Sequence, residues 1–168
     1  MSCSLIIVNG APATGKSAVV RHLHARLDNS ALLDADDVWR INPFKVNDRT
    51  RKLAEDNITS VLRHYIEAGY EYVILAWVLH DQAIIDHLLD GLKDLPKLIH
   101  VFTLVADEQV LLDRMRNDPG RTTDPQLALR RLRQTKSLNT QKIDTSSTSP
   151  EDVADVILRT LLTTMQAR

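Results

Sequence analysis

Apolar residues along the chain fall into short unbroken runs, and between the runs they recur every three or four positions. The runs Ser4–Asn9, Ala31–Asp34, Glu71–Leu79 and Leu98–Leu104 lack the polar alternation of a half-exposed strand, and Gln141–Thr145 is a fifth candidate strand. Each is expected to be a strand covered on both faces. Helical stripes follow them: Val19, Val20, Leu23 and Leu27; then Ala54, Ile58, Val61, Leu62, Tyr65 and Ile66. Ile84, Ile85, Leu88 and Leu89 form a third stripe, and Val110, Leu111 and Met115 a fourth. Asp124-Pro125 opens a helix to about Leu138, and Ser149-Pro150 with Asp152 opens the last one. Strands alternating with helices predict a parallel sheet between two helical layers, an α/β fold in one domain over 1–168. Such sheets bind ligands beyond the carboxyl ends of their strands, so the residues after each strand carry the functional weight.

Composition supports a single packed domain. The chain has 168 residues, 43% of them hydrophobic and 26% charged, with a net charge of -1. That balance argues against indiscriminate polyanion binding, and nucleic acid is not an expected partner. No run approaches the ~20 apolar residues of a membrane span. Ala11-Pro12-Ala13 imitates a signal-peptidase site, but no Lys or Arg precedes the short apolar run before it. The lone cysteine, Cys3, fits a reducing compartment, and a cytoplasmic location is expected.

Gly10-Ala11-Pro12-Ala13-Thr14-Gly15-Lys16-Ser17 is a complete G-x-x-x-x-G-K-S between the first strand and the first helix. Gly10 and Gly15 permit backbone angles at which amide hydrogens, those of Ala13 and Thr14 included, converge on one anion. The helix amino end adds its dipole. The Lys16 ammonium can follow charge between the β- and γ-phosphates, and the Ser17 hydroxyl is placed to ligate Mg²⁺. ATP and Mg²⁺ are therefore the expected cofactors.

Three carboxylates end the second strand, in Leu33-Asp34-Ala35-Asp36-Asp37. In an extended chain Asp34 and Asp36 point the same way, beside the phosphate loop. One acid can hold a water of the Mg²⁺ shell while the other takes a proton from a substrate hydroxyl. A helix cap at Asp36 or Asp37 is the simpler use, and it needs only one Asp.

Together the loop and the acids resemble the small P-loop kinases of the nucleoside-monophosphate-kinase-like group. The shikimate and gluconate kinase branch is the nearer likeness and chloramphenicol phosphotransferase the more distant. The resemblance implies a three-layer α/β/α domain with a five-stranded parallel sheet in the order 2-3-1-4-5. It assigns Asp34 to the magnesium shell and Asp36 to the acceptor hydroxyl. Asn47-Asp48-Arg49 is similar to the element opening the substrate-covering helix, and Asp113-Arg114 followed by Arg121 to the arginine-bearing lid, here a short segment around 116–125. Asp144-Thr145 resembles the strand end beside the adenine pocket. The lid lacks the sequence hallmarks of either branch, and Ala76-Trp77-Val78-Leu79-His80 replaces the glycine pair of shikimate kinases. Neither shikimate nor gluconate is therefore assigned as acceptor.

Phosphoryl transfer gathers negative charge that guanidinium groups stabilise. Arg121, in the irregular stretch 117–123, is the candidate for that role, with Arg114 able to reach the same phosphates. Arg130, Arg131, Arg133 and Lys136 read as a solvated face. Asp37, Trp39, Arg40, Asn42 and Arg49 can line an acceptor pocket, and Trp77 is either core or a wall of that pocket. The six histidines show no zinc spacing, and His80 reads as a surface residue. The expected activity is transfer of the γ-phosphate of ATP to a hydroxyl of a small molecule, with Asp36, Lys16 and Arg121 as the catalytic set. The alternatives are a nucleotide or polynucleotide-end kinase, an antibiotic-modifying phosphotransferase, or a non-catalytic ATP-binding module.

Overall fold

A computed structural model describes residues 3–95, 97–118, 120 and 123–166. Five strands form one parallel sheet: β1 (Cys3–Gly10), β2 (Ser30–Asp34), β3 (Tyr72–Trp77), β4 (Lys97–Val105) and β5 (Gln141–Asp144). Their order is β2-β3-β1-β4-β5, as the kinase resemblance implied. The helices are α1 (Lys16–Arg26), α2 (Asp48–Glu67), α3 (Gln82–Asp90), α4 (Glu108–Arg116), α5 (Pro125–Lys136) and α6 (Pro150–Gln166).

β1 explains the layering. It is the central strand and every residue in it is buried. Leu5 and Ile7 pack with Ile58, Leu62, Ile85 and Leu88 of α2 and α3, whereas Ile6 and Val8 pack with Val19, Leu23 and Ile157 of α1 and α6. Each such fully buried aliphatic side chain contributes roughly 1.5–3 kcal/mol. A third cluster, with Ala11, Leu111, Ala128 and Leu132, seats α4 and α5 against the loop after β1.

Caps define the helix starts. Asn47 and Thr50 form a reciprocal capping box on α2. The Asp124 carboxylate accepts from Gln126 N and Leu127 N ahead of Pro125, and Ser149 Oγ accepts from Asp152 N at 3.1 Å. α5 stops at Lys136, two residues short of the sequence expectation. β3 is likewise shorter than the apolar run 71–79, because Asn9 captures the backbone of Leu79. Leu79 N donates to Asn9 Oδ1 at 2.7 Å, and Asn9 Nδ2 donates to Leu79 O at 2.8 Å.

Candidate functional site

The carboxyl edge of the sheet carries the site, and Asn9 organises it. This fully buried side chain also accepts from Gly10 N at 2.7 Å and donates to Thr103 Oγ1 at 3.2 Å. One amide thus joins β1, β4, the segment after β3 and the first peptide of the phosphate loop. Buried polar groups need such satisfaction, and here it fixes where the loop begins.

Within the loop, Thr14 N, Thr14 Oγ1 and Lys16 Nζ all donate to Ala11 O, at 3.3, 2.8 and 2.9 Å. Gly10 is required by close approach: a Cβ there would stand 2.6 Å from Thr14 Oγ1 and 2.8 Å from Leu104 O. Gly15 has φ +94° and Ala13 φ +66°. The left-handed conformation costs a non-glycine residue such as Ala13 roughly 1–2 kcal/mol. α1 begins directly after Gly15 with no side-chain cap, and Ser17 is exposed on its first turn. A helix amino end left uncapped beside a glycine-rich loop is a site for a phosphate group. The residues present therefore fit a nucleotide tail.

Arg114 and Thr145 stand behind this cradle. Arg114 Nη1 donates to Thr145 Oγ1 at 3.1 Å, its Nη2 donates to Thr145 O, and Thr145 Oγ1 donates to Thr14 O at 3.2 Å. With Gly15, Val19, Thr148 and Pro150 they border a small cavity of about 160 Å³. Both residues named from sequence thus meet at the loop, although Arg114 is engaged by Thr145.

The acids are arranged by a turn and not by strand alternation. Extension ends at Asp34, and Ala35–Val38 is a short 3₁₀ helix. Asp34, not Asp36 or Asp37, caps it, accepting from Asp36 N at 3.2 Å. Asn57 Nδ2 of α2 donates to Val38 O at 3.0 Å and ties the turn down. The Asp36 residue is exposed overall, yet its carboxyl is partly desolvated. That desolvation raises its pKa above the usual 3.8; the carboxylates of Asp34 and Asp37 push the same way, and Lys16 and Arg40 oppose them. Asp36 therefore lies within electrostatic reach of the loop lysine. Among the described residues its carboxylate accepts no hydrogen bond, which leaves it available to a substrate. No group of three or more His, Cys, Asp or Glu that could hold a metal stands among the described residues. The Ser17 hydroxyl and the Asp34 carboxylate are oxygen donors of the kind Mg²⁺ takes.

A cleft of about 630 Å³ opens beside Asp36, bordered by Trp39, Ile41, Asn42, Phe44 and Thr123. Arg40 also lines it, and its guanidinium lies 2.6 Å from Asp37 Oδ1. Trp77 reaches the cleft through Trp39, the rings meeting edge-on at 6.5 Å. Arg49 is exposed on the first turn of α2, outside this lining. Arg121 lies outside the described residues. The supposed solvated face of α5 divides: Arg133 pairs with Glu108 at 2.8 Å, but Arg131 is half-buried. Burial, then Arg130 and Arg51, lower the Arg131 pKa, so three guanidinium groups share one region between α2 and α5. His80 is half-buried too, with its pKa lowered by burial first and then by Arg131. Arg131, Arg51, Ile41 and Phe44 escaped sequence reasoning, because only packing separates them from ordinary surface residues.

No curated protein matches the chain. Among solved structures, the Deinococcus radiodurans tunicamycin resistance protein is similar with a TM-score of 0.76 at 24% identity, covering 95% of each chain. A gluconokinase from Sinorhizobium meliloti 1021 gives a TM-score of 0.68 at 17% identity, over 90% of this chain and 87% of that one. Shikimate kinase from Acinetobacter baumannii gives 0.63 at 20% identity, over 96% and 94%. At these identities the likeness is one of fold, the P-loop kinase fold. The sequence itself decides the family: residues 6–136, from the strand that feeds the phosphate loop to the end of α5, match the AAA domain profile, and the chain belongs to that family.

Proposed function

We propose that the protein transfers the γ-phosphate of ATP to a hydroxyl of a small molecule. The observation that carries this reading is the ionisable Asp36 carboxylate, which accepts no hydrogen bond among the described residues and lies within electrostatic reach of Lys16 in a phosphate loop whose helix has no side-chain cap. In this scheme the triphosphate lies along Gly10–Ser17, with Ala13 and Thr14 in its turn, and the cavity at Arg114 and Thr145 takes the base end. Ser17 and, through water, Asp34 would hold Mg²⁺, which when bound neutralises charge on the β- and γ-oxygens. Asp36 accepts the proton of the acceptor hydroxyl as that oxygen bonds to the γ-phosphorus, and the bond from phosphorus to the β,γ-bridging oxygen breaks to release ADP. Lys16 and Arg121 stabilise the charge on the moving group. Asp37, Arg40, Arg49 and Trp77 contribute to the acceptor side.

ADP formation measured across a panel of hydroxyl-bearing acceptors tests the reading. Acceptor-stimulated turnover with a matching phosphorylated product is expected. A flat background with ATP still bound would instead make the chain a binding module.

The pH profile carries a second expectation. Asp36 must be ionised to take the proton, so kcat/KM falls as pH drops through its raised pKa. Asp34 is one of the charges holding that pKa up. Asp34→Asn removes this repulsion and moves the acid limb to lower pH, whatever it does to the plateau. A limb that stays in place, or moves up, would remove Asp36 as the titrating base.

A further inference from the structure

The wall of the cleft beside Asp36 is chemically lopsided. Trp39, Ile41 and Phe44 supply its apolar surface, and Asn42 and Thr123 supply neutral polar groups. Among the described residues of the lining Arg40 is the one cation, and Asp37 already engages it. A ligand carboxylate entering here would have to compete with Asp37 for that guanidinium while facing Asp36. Apolar surface is also left uncovered. Phe44 is 61% exposed and Val46 60%, and Leu53 on α2 adds a third exposed large hydrophobic residue in the same stretch of chain. Phe44 and Trp39 meet at 5.5 Å with rings inclined by 59°, and Trp77 completes an aromatic corner. Trp39 Nε1 is buried without a hydrogen-bond partner among the described residues, an unmet donor in the wall. The volume suits a compound of drug-like size, and apolar linings with a few neutral polar groups characterise sites for such ligands.

We propose that the acceptor is a neutral alcohol carrying a planar ring, seated against Phe44 and Trp39 with its hydroxyl at Asp36. The ring gains from burial against aromatic faces, and the absence of negative charge on the acceptor avoids repulsion by Asp36. This rests on the kinase reading for the role of the hydroxyl, but the ring site itself does not.

Phenylglycol and thymidine serve as neutral ring-bearing probes, gluconate and shikimate as anionic polyols. Of the two tryptophans, Trp39 lines the cleft and Trp77 meets it edge-on, so intrinsic fluorescence reports binding independently of turnover. Ring-bearing alcohols are expected to change the fluorescence saturably, and to exceed the anionic polyols in kcat/KM by about 100-fold. Phe44→Ala, which removes an exposed ring and no core packing, should weaken probe binding about 10-fold, whereas Phe44→Tyr retains it. ATP affinity, titrated without acceptor, should stay as in the parent. Saturable binding of the ring probes with no transfer supports the ring site and overturns the kinase reading. Transfer to gluconate or shikimate with no preference for rings supports the kinase reading and overturns this one. No fluorescence change with either ring probe, or unchanged binding in Phe44→Ala, also overturns it.

Discussion

Asp36→Asn should lower the rate of phosphoryl transfer by roughly 10²- to 10⁴-fold, the range a positioned general base contributes, and leave ATP affinity unaltered. The separation follows from geometry. Asp36 belongs to the 3₁₀ turn after β2, whereas the phosphate cradle is built by the loop after β1. The substitution is nearly isosteric, and among the described residues the carboxylate supports no hydrogen bond of the fold, so thermal stability should change little. Single-turnover transfer and calorimetric titration of ATP, made on the same preparation, read the two halves separately. Turnover equal to the parent's would remove Asp36 from its role. A parallel loss of ATP affinity would instead place it among the nucleotide ligands.

Lys16→Ala should damage binding and rate together. The ammonium donates to Ala11 O within the loop, so it already points along the cradle and can exchange that carbonyl for phosphate oxygens. A hydrogen bond to a charged group contributes about 1.5–3 kcal/mol, which corresponds to a roughly 10- to 100-fold loss of ATP affinity. The rate should fall further, because charge on the transferring group rises toward the transition state. A third readout comes from Asp36, whose pKa Lys16 holds down. Without the lysine that carboxyl is harder to ionise, and the acid limb of residual activity should move to higher pH, opposite to the shift expected for Asp34→Asn. Affinity within two-fold of the parent would exclude Lys16 as a phosphate ligand.

The legible parts of the molecule were those set by local chemistry. β1 shows as an unbroken apolar run because it is buried on both faces, and G-x-x-x-x-G-K-S shows because few residue types tolerate the angles at Gly10 and Gly15. Ser149-Pro150 and Asp124-Pro125 announced their helices because caps act within one turn. The acids illustrate partial legibility. Their position at the end of β2 was readable, but the 3₁₀ turn that makes Asp34 the cap and leaves Asp36 exposed was not. An extended spacing rule fails once the chain leaves the sheet. Arg130, Arg133 and Lys136 are exposed, as expected of the basic stripe of α5, and only Arg131 departs from it, for a similar reason. Arg131 and Arg133 are two residues apart, and only the neighbouring α2 and α4 distinguish a half-buried guanidinium from a surface ion pair.

The sequence alone determined that this is a layered α/β chain with an anion cradle at its first strand–helix junction, because periodicity and steric freedom are properties of consecutive residues. Tertiary structure alone decided that Asn9 anchors the cradle across the sheet to Leu79 and Thr103, that burial and Lys16 act in opposite directions on the Asp36 carboxyl, and that Trp39 and Phe44 line one cleft with Trp77 edge-on to Trp39. Those relations join residues far apart in the chain, and the physics that couples them, desolvation, Coulomb interaction and ring packing, depends on distance in space.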